Sequence, residues 1–189
     1  MDLGQINLVL LDRDGVINQD SPDYIKSTQE WRPLKGAIDA IVQLQRRFKV
    51  AVCTNQSGVA RGLFDEETLA AIHDKLNQTI EDAGGDAVDV FYCPHAPHAQ
   101  CPCRKPNAEL LIQAMRSYNA QPSNTLYVGD SEKDVQAAIN AGCTSVLVLT
   151  GNGAKAVNTP IGKQAGHVVS DLPALAKLLN VWSSIKHPN

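Results

Sequence analysis

Short apolar runs alternate with amphipathic segments along most of the chain. The apolar runs predict strands near Leu8–Leu11, Val50–Cys53, Val88–Tyr92, Thr125–Val128 and Ser145–Leu149. The segments between them predict helices near Ala37–Arg47, Asp65–Ala83, Ala108–Tyr118 and Asp134–Ala141. Strands that read as unbroken Val and Leu runs and alternate with helices are typical of a parallel sheet covered on both faces. We therefore expect a three-layer α/β/α, Rossmann-like fold.

Composition narrows the class of protein further. A chain of 189 residues with 43% hydrophobic residues suits one domain with a substantial core, and we predict a single domain over residues 1–189. The net charge of −3 provides no basic surface for nucleic acid. The sequence shows neither an N-terminal apolar signal region nor an apolar run near the roughly 20 residues that span a bilayer. We expect a cytoplasmic monomer that binds neither membrane nor nucleic acid.

Two carboxylates, Asp12 and Asp14, directly follow the first apolar run. An Asp-x-Asp-Gly sequence just past a strand end can curl so that both carboxylates and a main-chain carbonyl converge. Mg²⁺ prefers oxygen ligands of this kind, usually with waters and a phosphate in its shell. The alternative is a strand followed by an ordinary Asp-Gly turn. The other strand ends must therefore decide between the two interpretations.

Three further segments carry groups suited to binding a phosphate or a cation. They are Thr54 and Asn55 after the second strand, Arg104 and Lys105 before the third helix, and Asp130 after the fourth strand with Asp134 one helical turn on. Each has an alternative role, such as a helix cap for Thr54 or Asp130 and a solvated surface charge for Lys105. Ligands of open α/β sheets bind beyond the carboxyl ends of the strands. Because all these groups occur near strand ends or before helices, together they predict one site at the carboxyl edge of the sheet.

A short segment, residues 93–103, holds three of the five cysteines. Cys93, His95, Cys101 and Cys103 form a Cys-x-His pair and a Cys-x-Cys pair, which match the Cys₃His ligand set of a closed structural zinc site. The alternatives are a disulfide, which is rare in a reducing cytosol, and unliganded thiols. A zinc ion with four protein ligands would hold the loop in place rather than activate water.

The motifs together resemble the haloacid dehalogenase superfamily of phosphohydrolases, whose four signatures match Asp12-x-Asp14, Thr54, Lys105 and Gly129-Asp130-x-x-x-Asp134. One branch is particularly similar, the D-glycero-D-manno-heptose 1,7-bisphosphate 7-phosphatases with the related histidinol-phosphate phosphatases. The strings that carry this similarity are Asp12-Arg13-Asp14-Gly15, Thr54-Asn55-Gln56-Ser57-Gly58-Val59-Ala60-Arg61-Gly62 and Cys103-Arg104-Lys105-Pro106. Many members bind zinc through a Cys-x-His…Cys-x-Cys loop. The gap is shorter here, which makes His98 a competitor to His95.

The resemblance also implies a mechanism. Asp12 would attack phosphorus and form an aspartyl-phosphate. Asp14 would protonate the leaving alkoxide and later deprotonate a water, so its surroundings would have to raise its proton affinity. Mg²⁺ would be bound by Asp12, the carbonyl of Asp14 and Asp130. Thr54 and Lys105 would stabilise charge on the phosphoryl oxygens.

The site should be open, because the chain has no room for the cap domain that many superfamily members carry. The interval from Gly15 to Arg32 is too short for a folded domain. The interval from Thr54 to Lys105 is filled by one predicted helix, one strand and the zinc loop. Loops must therefore shape a capless site.

Three hypotheses about function remain. The first is a Mg²⁺-dependent phosphatase that removes the 7-phosphate of the heptose bisphosphate in ADP- or GDP-heptose and lipopolysaccharide core biosynthesis. Asn55, Arg61 and Arg104 are its candidate substrate contacts, and the two arginines could bind a second phosphate. The second is a histidinol-phosphate phosphatase, which needs acidic groups in its loops: Asp20, Asp23 and Glu30 are available. The third is a non-enzymatic zinc- and phosphate-binding module, which the presence of both aspartates of the first motif disfavours.

Overall fold

A six-stranded parallel sheet forms the centre of the molecule. The computed structural model describes residues 5–185. Its strands are β1 (Leu8–Leu11), β2 (Lys49–Asn55), β3 (Asp89–Cys93), β4 (Thr125–Gly129), β5 (Thr144–Val148) and β6 (His167–Val169). They lie in the order β3-β2-β1-β4-β5-β6, and every neighbouring pair is parallel. The predicted parallel sheet is confirmed, and each of the five predicted strands overlaps an observed one.

Helices cover both faces of this sheet. They are α1 (Ala37–Gln45), α2 (Glu66–Asp82), α3 (Glu109–Ser117), α4 (Glu132–Ala141), α5 (Gly153–Ala156) and α6 (Leu172–Ile185). Apolar residues of α1, α2 and α6 share one buried cluster with one face of the sheet. Apolar residues of α3 and α4 form a second cluster on the opposite face. The molecule therefore has the predicted three layers.

Strand β1 shows why its sequence is apolar at every position. Its side chains alternate between the two faces, with Val9 and Leu11 in the first cluster and Leu8 and Leu10 in the second. All four are at most 1% exposed. A polar residue anywhere in this strand would be buried in one of the two cores.

The register of the central strands brings the predicted site residues to one edge of the sheet. Leu11, the last residue of β1, pairs with Val52 of β2 on one side and with Val128 of β4 on the other. The residues that follow the three strands therefore emerge side by side. Asp12 continues the pairing, since its N–H donates to the carbonyl of Val128 at 2.8 Å.

The connections contain no additional folded unit in the described part of the chain. Residues 12–36 form turns and two isolated bridges, Asp14 with Asn18 and Asn18 with Pro33. Only α2 and β3 lie between β2 and Lys105. The capless architecture is therefore observed. Within residues 5–185, no helix has both the length and the apolar character needed to cross a bilayer.

The C-terminal part of the chain adds elements that the apolar pattern did not predict. These are α5, β6 and α6, which complete the sheet edge next to β5 and one helical layer. Residues 1–4 and 186–189 lie outside the described part. The single domain over residues 1–189 therefore stays a prediction.

Candidate active site

A cavity of about 530 Å³ lies at the carboxyl ends of the central strands. Its lining includes eight of the predicted residues: Asp12, Asp14, Thr54, Asn55, Arg104, Lys105, Asp130 and Asp134. The four motifs, which are far apart in sequence, therefore meet at one place. Arg61 is not among the residues that line this cavity in the described part of the chain.

Lys105 and two carboxylates form the charged floor of the cavity. The Nζ atom of Lys105 lies 2.8 Å from Asp12 Oδ2 and 2.7 Å from Asp134 Oδ1. Burial alone would lower the pKa of Lys105, but the charges of Asp12 and Asp134 outweigh it and raise that pKa. Burial raises the pKa of Asp12 well above its usual value, and the Lys105 charge opposes this rise only in part. Lys105 thus stays charged, next to Asp12, whose ionised form is disfavoured by burial.

Asp14 is surrounded by hydrogen-bond donors. Arg13 donates from Nε to Oδ1 at 3.1 Å and from Nη2 to Oδ2 at 3.0 Å. The side-chain amides of Asn18 and Gln56 donate to Oδ1 and Oδ2 at 2.8 and 2.9 Å. Burial raises the pKa of Asp14. The Arg13 charge and these hydrogen bonds lower it by more than burial raises it, so the pKa lies below its usual value. The expected rise in the proton affinity of Asp14 is therefore wrong for the protein without substrate.

Asp130 is held by Asn152, which also lines the cavity. The main-chain N–H and the side-chain amide of Asn152 donate to Asp130 Oδ2 at 2.7 and 3.2 Å. Burial and then the Asp134 charge raise the pKa of Asp130 to about 6, against the lowering effect of these hydrogen bonds. Among residues 5–185, no hydrogen bond reaches Oδ1 of this buried carboxylate.

These oxygen atoms fit a hard divalent cation. One carboxylate oxygen each from Asp12, Asp130 and Asp134 can be chosen so that all three lie within 4.8 Å of one another. The main-chain carbonyl of Asp14 receives no hydrogen bond within the described residues. A partly unbonded buried carboxylate beside two more carboxylates is the all-oxygen environment that Mg²⁺ prefers. Lys105 contacts both Asp12 and Asp134, but both oxygens of Asp134 also accept hydrogen bonds from Tyr127 and Ser131, whereas Asp12 accepts only one more among residues 5–185, from the Arg13 N–H. Asp12 and Asp130 are therefore the better placed side chains.

Thr54 and Asn55 end β2 at the cavity. Thr54 is 1% exposed, and its hydroxyl oxygen accepts a hydrogen bond from Gln56 Nε2 at 3.0 Å. Asn55 holds the main chain of Lys105 at both ends: its Nδ2 donates to the Lys105 carbonyl at 3.2 Å, and its Oδ1 accepts from the Lys105 N–H at 3.1 Å. Asn55 was predicted as a substrate contact, and the structure shows that it also fixes the position of Lys105.

The zinc-ligand set predicted from the sequence is brought together. The sulfur atoms of Cys93, Cys101 and Cys103 lie 3.2–3.6 Å apart. His95 Nδ1 lies 3.5 Å from Cys93 Sγ and 3.3 Å from Cys103 Sγ. Ligands of a tetrahedral zinc ion are separated by roughly 3.5–3.8 Å, so the cluster has nearly the dimensions of a zinc site. His98 lies outside the cluster, which favours His95 as the imidazole ligand.

The two candidate arginines lie in different surroundings. Arg104 lines the cavity and donates from Nη1 to the main-chain carbonyl of His95 at 3.2 Å, which ties the cavity wall to the zinc loop. The guanidinium carbon of Arg61 lies 5.7 Å from the ring centroid of Tyr24, and Tyr24 lines the cavity. Arg61 therefore contacts a cavity-lining ring but does not itself line the cavity within the described residues.

Several residues that shape the site were missed by the sequence analysis. They are Arg13, Asn18, Gln56, Tyr127 and Asn152. Gln56 and Asn152 each lie three residues beyond the end of a predicted strand, which is a signal that sequence reasoning could have used. Arg13 and Tyr127 gave no such signal, because one resembles a surface charge and the other a core residue.

Comparisons with known proteins agree with this geometry. A family model described as HAD-hydrolase-like matches residues 102–175. D-glycero-beta-D-manno-heptose-1,7-bisphosphate 7-phosphatase from Bordetella bronchiseptica is 45% identical over 175 residues, which are 92% of this chain and 98% of that protein. The protein of the same name from Pseudomonas aeruginosa is 43% identical over 174 residues, covering 92% of this chain and 97% of its own length. The chain belongs to this phosphatase family.

A solved structure extends the family likeness to three dimensions. The crystal structure of D,D-heptose 1,7-bisphosphate phosphatase from B. bronchiseptica, complexed with magnesium and phosphate, superposes with a TM-score of 0.89 at 44% identity. It covers 93% of this chain and 99% of that one. A relative from Burkholderia thailandensis superposes with a TM-score of 0.70 at 35% identity, over 92% of this chain and 98% of that one. This likeness confirms the haloacid dehalogenase fold that the motifs predicted for the chain.

Proposed function

We propose that the protein is a Mg²⁺-dependent phosphomonoesterase that removes the 7-phosphate of D-glycero-β-D-manno-heptose 1,7-bisphosphate. The observation that carries the proposal is the meeting of Asp12, Lys105 and Asp130 in one cavity. The names of the relatives supply the substrate, including its β anomer. We assign the reaction to the synthesis of nucleotide-activated heptose for the lipopolysaccharide core, by a monomer in the cytoplasm.

Asp12 is the proposed nucleophile. Its carboxylate attacks phosphorus, the bond to the substrate oxygen breaks, and an aspartyl-phosphate forms. Lys105 neutralises Asp12 at 2.8 Å before the substrate arrives and can then donate to a phosphoryl oxygen. The Thr54 hydroxyl, buried beside the cavity, is the second proposed donor. Fixed donors of this kind stabilise transition-state charge without having to reorganise.

Asp14 is the proposed acid and base. Its depressed pKa favours the carboxylate form, which suits the second half of the reaction, when it takes a proton from the attacking water. The first half requires a proton on Asp14. A dianionic phosphate that binds next to Asp14 raises its proton affinity by like-charge repulsion. We therefore propose that substrate binding itself converts Asp14 to the acid form.

Two metals are part of the proposal. Asp12, the carbonyl of Asp14 and Asp130 would hold Mg²⁺, which when bound neutralises the repulsion between the nucleophile and the phosphate. The cluster of Cys93, His95, Cys101 and Cys103 would hold a structural zinc ion. Its task would be to fix the loop that leads directly into Arg104 and Lys105.

Substrate selection is assigned to loop residues around the open cavity. Arg104 lines the cavity and is the proposed contact to the distal phosphate. Asn55 lines the same wall and is a proposed contact to the sugar. Arg61 reaches the substrate in this proposal only if Tyr24, which it stacks on, also moves.

Histidinol phosphate is the second candidate substrate, and one observation favours it. Asp20 lines the cavity and would attract a cationic amine. Its Oδ2 already accepts a hydrogen bond from Asn152 at 3.0 Å, however, and neither Asp23 nor Glu30 lines the cavity within the described residues. Of the three acidic residues predicted for this substrate, Asp20 alone lines the cavity and it is already hydrogen-bonded, although Glu132 lines the cavity as well.

Phosphate release from the two substrates, measured side by side with the purified enzyme, tests the proposal. We expect kcat/KM for the β heptose bisphosphate to exceed that for histidinol phosphate by at least a hundredfold. Activity should disappear when a weak chelator removes Mg²⁺ and return when Mg²⁺ is added, while zinc stays bound. A preference for histidinol phosphate would overturn the substrate assignment. Release of neither phosphate would leave only the binding-module hypothesis.

A further inference from the structure

The hydroxyl group of Tyr127 contacts three separate parts of the site. Its oxygen lies 2.6 Å from Lys105 Nζ, 3.0 Å from Asp134 Oδ1 and 3.1 Å from the main-chain carbonyl of Cys53. Tyr127 lies in β4, is 1% exposed and does not itself line the cavity in the described part of the chain. It is therefore placed to act on other residues rather than on a substrate.

The three protons of the Lys105 ammonium group all have acceptors. They are directed to Asp12 Oδ2 at 2.8 Å, Asp134 Oδ1 at 2.7 Å and the Tyr127 hydroxyl at 2.6 Å. When Asp12 engages a phosphoryl group, the first of these donors becomes available to a phosphate oxygen. The other two acceptors then determine where the ammonium group stands.

Tyr127 can accept from Lys105 because its own proton has acceptors elsewhere. Asp134 Oδ1 and the Cys53 carbonyl both lie within reach of that proton. Burial and the Asp134 charge raise the pKa of Tyr127 well above its usual value, so the hydroxyl remains protonated. A hydroxyl that donates and accepts at once holds its neighbours at defined distances.

The Cys53 carbonyl connects this hydroxyl to the second phosphate donor. It belongs to the peptide bond that carries the N–H of Thr54. We propose that Tyr127 is a positioning residue that fixes the Lys105 ammonium group relative to Thr54 while a phosphoryl group is transferred. The proposal rests on the proposed phosphatase function and assigns Tyr127 no contact with the substrate.

Tyr127→Phe is the test variant, because it removes one oxygen atom and keeps the ring that packs in the core. It leaves one N–H of Lys105 without its acceptor in a buried place, so the ammonium group must shift towards its other partners. Small misplacements of a catalytic group can reduce the rate on the order of a hundredfold. We expect kcat to fall by roughly ten- to a hundredfold, with KM within threefold of wild type.

Tyr118→Phe is the matched control. Its hydroxyl donates to Asp89 Oδ2 at 2.8 Å outside the site, so the chemical change is the same. This control should keep wild-type kcat and KM. A Tyr127→Phe enzyme whose kcat stays within threefold of wild type would disprove the positioning role. The positioning role would also be disproved if both variants lost activity and Tm to the same extent.

A binding measurement separates this inference from the proposed function. Orthovanadate, which can adopt the five-coordinate geometry of a phosphoryl transition state, should bind Tyr127→Phe at least tenfold more weakly than wild type in calorimetry with Mg²⁺. Inorganic phosphate should bind both proteins alike. If wild type released no phosphate from the heptose bisphosphate, the proposed function would fail, and equal vanadate affinities would refute the positioning role independently.

Discussion

At the scale of single residues, the site combines two carboxylates that lie two positions apart and whose pKa values are shifted in opposite directions. Burial and neighbouring carboxylates raise the pKa of Asp12, whereas Arg13 and two amides lower that of Asp14 despite its burial. The Lys105 charge next to Asp12 suits the proposed nucleophile, whereas the low pKa of Asp14 suits its proposed role as a base but not as an acid. The contrast depends on Arg13, which has no exposed surface at all.

Asp12→Asn tests the nucleophile directly. The amide has nearly the shape of the carboxylate but is a poor nucleophile, so phosphate release should fall by more than a thousandfold. The circular dichroism spectrum should remain that of the wild type. Steady-state phosphate release within tenfold of wild type would rule out Asp12 as the nucleophile.

Gly15 is a second residue whose identity the site requires. Its φ of 80° lies in the left-handed region, and a Cβ there would overlap Asp130 Oδ2. Gly84 has a φ of 85°, but a Cβ there would meet no other atom within 4 Å, so it is the natural control. Both alanine variants should lose about 1 kcal/mol of unfolding free energy to backbone strain.

Only Gly15→Ala should also displace Asp130 from its place beside Asp12. We expect its kcat to fall at least tenfold and its apparent affinity for Mg²⁺ to weaken, whereas Gly84→Ala keeps wild-type values. Urea unfolding and a Mg²⁺ titration of activity measure both effects. Equal activities for the two variants would show that the crowding around Asp130 has no functional meaning.

At the scale of elements, the zinc loop connects a sheet edge to the cavity. Cys93 is the last residue of β3, and Cys103 directly precedes Arg104 and Lys105. Arg104 also bonds back to the carbonyl of His95. The loop therefore places Arg104 and Lys105 at the cavity, and the cluster of candidate zinc ligands holds the two ends of the loop together.

Cys103→Ser and His98→Ala distinguish a ligand from a bystander in this loop. Cys103→Ser should release zinc, lower Tm and reduce kcat by more than the loss of folded protein explains, because the cations lose their support. His98→Ala should keep zinc content, Tm and kcat near wild type. Zinc is measured by elemental analysis of the reduced proteins. Retention of zinc by Cys103→Ser and its release by His98→Ala would reverse the ligand assignment.

The same scale shows why the sequence predicted some elements and not others. Strands β1, β2, β4 and β5 are buried on both faces, and their continuous apolar runs were sufficient to find them. Strand β6 has three residues at the sheet edge and none of them is fully buried, so its pattern carries little signal. The contact between Arg13 and His73 spans 60 positions and depends on how α2 packs, which no local pattern encodes.

At the scale of the whole molecule, a buried polar connection links the site to α2. Arg13 Nη1 lies 3.4 Å from His73 Nε2, and the His73 ring lies 5.6 Å from that of Tyr92 in β3. The groups that face His73 are thus Arg13 and, more distantly, Asp14. Burial and then the Arg13 charge lower the pKa of His73 to about 4, against the opposing effect of Asp14. The folded protein therefore holds this histidine neutral.

Because His73 is neutral in the folded protein, we expect part of the free energy of unfolding to be lost at acid pH. The His73 pKa rises from about 4 in the folded protein to 6.5 in the unfolded chain, so between these values the unfolded state binds more protons. Stability contributed by His73 is complete above pH 6.5 and is lost as pH falls towards 4. The loss between pH 7.5 and pH 5 should be about 2 kcal/mol.

His73→Gln isolates this contribution, because the amide oxygen can still accept from Arg13 but does not titrate. Urea unfolding of both proteins at pH 7.5 and pH 5 gives four free energies. The wild type should lose about 2 kcal/mol more than the variant between the two pH values, since all other titrating groups are shared. Parallel losses in both proteins would mean that His73 is protonated in the folded state as easily as in the unfolded chain, and that Arg13 does not enforce its neutral form.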